Sequence, residues 1–178
     1  MRTRAANNGR RIGLTIASVM LVLALFSAAT TADSEYVPVE PGPDKHAAYI
    51  EGLGWTGSGR LVLQIDEIGW YEGEAAAALF REREPDAGIE APPNGYYITN
   101  DSAQLRELPV AADAEVRMQL YDRTGDPLEA DIVWNERISV ERLAELLQEG
   151  GELDIREFPY HLTVRGGEII EIVQQYVP

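Results

Sequence analysis

His46 and His161 are the only histidines in a chain of 178 residues that contains no cysteine. Imidazole and thiolate are the groups that most readily bind zinc or activate a nucleophile near neutral pH. His46 falls in or beside a proline-rich stretch, and His161 alternates with Leu162 on a predicted strand. Neither a zinc set nor a Ser-His-Asp arrangement can be assembled from that spacing. There is no glycine-rich phosphate loop and no nucleophile elbow. Carboxylate chemistry remains. Asp66, Glu67, Glu72 and Glu74 cluster within a short segment, and two carboxylates fixed across a deep cleft could hydrolyse a glycoside. In a chain with 30 acidic residues such clusters also arise by chance. "DRTGDPLEAD" (Asp122 to Asp131) offers oxygen ligands for calcium without the spacing of the EF-hand loop, and reads as a turn. The expectation is a protein that is not an enzyme and uses no cofactor or metal. A small carboxylate-dependent hydrolase is the alternative.

Aromatic side chains are the more concentrated resource: Trp55, Trp70, Tyr71, Tyr96, Tyr97, Trp134, Tyr160 and Tyr176. Aromatic pairs on strands usually belong to the core, but such rings are also enriched at interfaces. In "PPNGYYITND", Asn94-Gly95 shapes a turn and Asn100 can end the strand by bonding its own backbone. A strand sends successive side chains to opposite faces. One of Tyr96 and Tyr97 is therefore expected to enter the core and the other to face outward. The candidate binding residues are Tyr96, Tyr97, Trp70, Tyr71, Asn94 and Asn100.

The elements that must position these residues follow from periodicity. Leu61, Leu63 and Ile65 alternate with polar neighbours, so "AAYIEGLGW" and "RLVLQIDEIGWY" read as strands joined by "TGSG". "EGEAAAALFRERE" switches to helical spacing, with Ala75, Ala76, Leu79 and Phe80 as its apolar stripe. "GYYIT", "QLRELPV" and "AEVRMQLY" read as three further strands, followed by a wide loop from Asp122 to Arg137. "SVERLAELLQEGG" is a helix capped by Ser139, with Val140, Leu143, Leu146 and Leu147 facing the core. "YHLTV", "RGGE" and "IIEIVQQYV" form a hairpin with a glycine turn. The expected fold is α+β: a mainly antiparallel sheet, or a small partly open barrel, of about six strands with two helices. An N-terminal hydrophobic helix would precede it.

The N-terminus reads as an export segment. Arg2, Arg4, Arg10 and Arg11 precede an uncharged run from Ile12 to Ala32. Cleavage after Ala29 or Ala32 is expected, an uncleaved membrane anchor over residues 12–32 is the alternative, and a buried core helix is a third reading. Residues 33–46 form a linker rich in proline and acid, and residues 47–178 form one domain. The protein is accordingly expected outside the cytoplasm, secreted or anchored. Its formal charge is −15, and the exported part carries 11 basic against 30 acidic residues, or −19. Such a surface repels phosphate backbones and anionic lipid, which argues against nucleic acid as a partner and against any membrane contact beyond residues 12–32.

"EIGWYEGEAA" (Glu67 to Ala76), "PNGYYITN" (Pro93 to Asn100), "LRELPV" and the terminal "IIEIVQQYVP", taken in order, resemble an uncharacterised group of bacterial extracytoplasmic proteins. Members of that group carry an export signal and segments of the form E-W-Y-x-G-x-A, P-N-D-Y-Y-I-x-N and E-Q-Y-x-P. Here Gly69 and Gly95 stand where the group has acids, and Gln174 where it has glutamate. The resemblance implies an exported envelope domain with an unknown protein or cell-wall ligand. It implies no reaction.

Overall fold

The glycine-rich segment after Trp55 folds β1 (Lys45–Trp55) back on β2 (Leu61–Glu72). Gly59 takes φ +80, and Thr56 closes the turn with backbone hydrogen bonds to Gly59 and Arg60. In the computed structural model the described residues are 35–177. The export segment and its expected hydrophobic helix lie outside them. Among the described residues no helix is long and apolar enough to cross a membrane.

The alternation of β2 buries Leu61, Leu63 and Ile65 together. β1 pairs antiparallel with β2 on one side and with β6 (Tyr160–Arg165) on the other. β6 turns through Gly166 and Gly167 into β7 (Glu168–Gln174). β4 (Leu105–Met118) lies antiparallel to β2 over its first residues and parallel to β7 over its last, which closes a ring. The ring order is β1-β2-β4-β7-β6. Numbered along the chain, the five barrel strands follow one another as first, second, third, fifth, fourth. That is the order of the OB-fold, a five-stranded Greek-key barrel. Two short strands sit outside the ring: β3 (Tyr96–Thr99) on the far end of β2, and β5 (Glu136–Ile138) on β4.

Three expectations are corrected here. The barrel is closed and mixed, because β4 and β7 run parallel. There are seven strands among the described residues, and "QLRELPV" and "AEVRMQLY" belong to one of them. A register irregularity between Val110 and Glu115 interrupts their alternation, where β4 leaves β2 and joins β7. Third, helix α1 (Gly73–Arg83) buries Ala76, Ala77 and Phe80 rather than Ala75.

Helix α2 (Val140–Glu149) starts where Ser139 Oγ accepts the Arg142 amide at 3.1 Å. It sends Leu143, Ala144, Leu146 and Leu147 into the barrel core. Polar groups are buried beside it. Gln174 is fully buried, and its Oε1 accepts the amides of Gln119 and Leu120, both at 2.8 Å. Its Nε2 donates to the Leu120 carbonyl at 2.9 Å. Gln119 in turn accepts the Asn135 amide at 2.7 Å. These side chains satisfy backbone groups where β4 runs out of strand partners.

Candidate functional site

A cleft of about 480 Å³ opens where β2 runs past the start of β1. Its walls are residues 39–42 of the incoming segment, the beginning of β1, the later half of β2 and His161 of β6. The incoming segment is tied down at Tyr36, which packs against Trp134 (ring centroids 5.4 Å apart) and donates its hydroxyl hydrogen to Gln175 Oε1 at 2.5 Å.

The aromatic wall is built on β2 and β3. Trp70 and Tyr96 are diagonal neighbours across that pair, and their rings stack with centroids 4.6 Å apart and planes 14° apart. His161 meets Trp70 edge-on at 5.9 Å. Tyr71 is exposed and folds over Gly69. A β-carbon at Gly69 would lie 2.7 Å from the Tyr71 ring and 2.4 Å from Thr99 Oγ1. A side chain at this position therefore has no room in this packing.

Both histidines border the cleft, each with one ring nitrogen fixed. Glu67 is held ionised, so His46 Nδ1 must donate to its Oε1, at 2.8 Å. Glu67 also pairs with Arg106. Burial pushes the Glu67 carboxyl up, but the hydrogen bonds and charges of His46 and Arg106 outweigh it, and the net direction is down. Gln175 Nε2 donates to the Tyr176 carbonyl at 2.9 Å, which orients its Oε1 toward His161. His161 Nε2–H therefore donates to that oxygen at 3.0 Å. Burial holds the His161 pKa below the usual imidazole value despite this bond. At neutral pH its Nδ1 is an unprotonated acceptor.

Of the six residues expected to bind, Trp70 and Tyr71 line the cleft, and Tyr96 stacks on Trp70 without lining it. Tyr97 lies on the opposite face of β3, edge-on to Phe80 of α1 at 5.7 Å, with its hydroxyl donating to Glu84 at 2.9 Å. The expected division of the two tyrosines is corrected in part: both are half-buried, and Tyr97 packs beneath α1 rather than in the barrel core. Asn94 is exposed in the turn before β3, where Gly95 takes φ +79. Asn100 does not bond its own backbone as expected; its Nδ2 donates to Asp66 Oδ2 at 2.6 Å.

The acid cluster does not converge. Asp66 bonds Asn100, Glu74 bonds Arg81, and only Glu67 and Glu72 line the cleft. In the loop after β4, Asp122 accepts the amides of Thr124 and Gly125, and Asp126 that of Leu128, so these carboxylates shape turns. Among the described residues no group of three or more histidine or acidic side chains is placed to hold a metal ion. His46 is strand rather than linker, and its approach to Glu67 depends on the pairing of β1 with β2. Nothing in the local sequence announces that pairing.

Comparison with known protein families, with curated proteins and with solved structures returns no match.

Proposed function

We propose that this chain is an extracytoplasmic binding module of the bacterial envelope, that it does no catalysis, and that the cleft beside Trp70 holds its ligand. The observation that carries the reading is a cleft lined by Trp70, which stacks on Tyr96, together with Tyr71, His46 and His161. Ligand sites combine an apolar or aromatic wall with a few fixed polar groups in a space of about 300–1,000 Å³. The closed barrel below supplies a rigid base. The acidic surface favours a wall polymer or a protein over nucleic acid.

Export and envelope location rest on the N-terminal sequence and on the resemblance. A carboxylate hydrolase remains the competing reading because Glu67 and Glu72 share the cleft. Against it, Glu67 is held ionised by His46 and Arg106, which disfavours a general-acid role. Cosedimentation of the exported protein with purified cell-wall polymer tests the proposal. Trp70→Ala and Tyr96→Ala should each weaken binding by about 1 kcal/mol or more without loss of the barrel. Undiminished binding by both variants would refute the site, and turnover of the polymer would refute the binding-only reading.

A further inference from the structure

We infer that the cleft takes an aliphatic amine in its ammonium form, so that the ligand presents a free amino group there. This rests on the cleft being the ligand site. Hydrogen-bonding capacity decides which chemistry fits. Most side-chain donors at the cleft are already engaged; the Tyr71 hydroxyl, which has no partner among the described residues, is the exception. The Lys45 ammonium bonds Thr163 Oγ1 at 2.7 Å and Glu171 Oε2 at 2.6 Å. Trp70 Nε1–H bonds Glu72 at 3.1 Å, and His161 Nε2–H bonds Gln175.

Apart from that hydroxyl, what is left unused is acceptor capacity. His161 Nδ1 has no partner among the described residues, nor does the carboxylate of Glu40 on the opposite wall. Glu72 receives a single neutral hydrogen bond. Glu67 is compensated by Arg106, and Lys45 and Arg117 together by Glu171 and Glu115. The uncompensated charge at the cleft is therefore negative, carried by Glu40 and Glu72. An anion would meet two carboxylates without a cation to answer it. An ammonium ion would find carboxylates, a lone-pair nitrogen and aromatic faces, which attract cations through their quadrupole. A neutral polyol could donate to the same acceptors, but would gain neither the charge nor the ring attraction.

Three probes of one length and different charge separate these cases: 1,5-diaminopentane, 1,5-pentanediol and glutarate, titrated into the exported protein with the Trp70 indole resonance as readout. The diamine should bind, the diol at least about tenfold more weakly, and glutarate not at all. Glu72→Gln and Glu40→Gln should each weaken the diamine at least about threefold, while Glu129→Gln, remote from the cleft, should leave it unchanged. Equal binding of diol and diamine would overturn the inference. So would equal weakening by Glu129→Gln, which would assign the effect to the net charge of the chain. If none of the probes binds yet Trp70-dependent cosedimentation with wall polymer persists, the ammonium inference falls and the site reading stands. If both are lost, the site reading falls as well.

Discussion

Replacing Gln174 with glutamate should destabilise this protein in a pH-dependent way. The side chain is fully buried and makes three hydrogen bonds to backbone. A carboxylate keeps the two accepted from the amides of Gln119 and Leu120. It loses the donation to the Leu120 carbonyl, now 2.9 Å from an oxygen rather than from N–H. An unpaired buried carbonyl costs about 1–3 kcal/mol. Desolvation and the facing carbonyl disfavour the charged form, so the introduced carboxyl should have a folded-state pKa above its unfolded value of about 4.3. A group with a raised folded pKa supports the fold when protonated and loses that support as pH rises through the folded pKa. The penalty should therefore grow by about 1–3 kcal/mol from pH 5 to pH 8, since a tenfold change in proton affinity is worth about 1.4 kcal/mol. Urea unfolding of wild type and the Gln174→Glu variant at both pH values measures it, with an unchanged m-value as the check on two-state comparison. A variant as stable as wild type at pH 8, or a penalty that does not change with pH, would refute this description of the network.

Leu143→Ala and Leu147→Ala should each cost about 2–5 kcal/mol in urea unfolding, because both side chains are buried between α2 and the barrel. Glu171 provides an acid-side dependence: burial raises its pKa, but hydrogen bonds from Lys45 and Thr163 and the charges of Lys45 and Arg117 hold it at about 2. Its contribution is present above about pH 4.5 and lost as pH falls toward 2. The full lowering corresponds to about 3 kcal/mol, and solvent screening at Lys45 and Arg117 reduces this to about 1–2 kcal/mol. Glu171→Gln should lose that amount at pH 7 and flatten the stability curve below about pH 4.5. Gly69→Ala should cost about 1–3 kcal/mol by forcing Tyr71 and Thr99 apart, visible as a lower melting temperature.

Much of the fold is legible in the sequence, for identifiable reasons. The alternation of Leu61, Leu63 and Ile65, the Ser139 cap with its leucine stripe, and the Gly166-Gly167 turn are local signals, and each element lies where they place it. Closure of the barrel is not local. It depends on β4 changing partners from β2 to β7, which the irregularity near Ala112 permits, and an alternating pattern cannot name its partner strand. The same limit applies to the cleft. The composition singles out Trp70, Tyr71 and Tyr96, because aromatic residues are conspicuous in an acidic chain. His46, Glu67 and Arg106 come from three different strands, and only the register of β1 and β4 on β2 brings them together. Gln174 and Gln175 look like polar ends of a strand, yet both are buried and fix other groups. The strand period separates Tyr97 from Tyr96, but it carries no sign that α1 covers the Tyr97 face.

The chain has three tryptophans, and they report on three separate places: Trp70 in the cleft, Trp55 at the end of β1, and Trp134 against Tyr36. The most direct test is a titration of the protein with solubilised cell-wall fragments, following the three indole N–H resonances. If the cleft holds the ligand, the Trp70 signal moves in a saturable manner while those of Trp55 and Trp134 stay in place. Movement of Trp55 or Trp134 with Trp70 unchanged would put the binding surface elsewhere and contradict the proposed site.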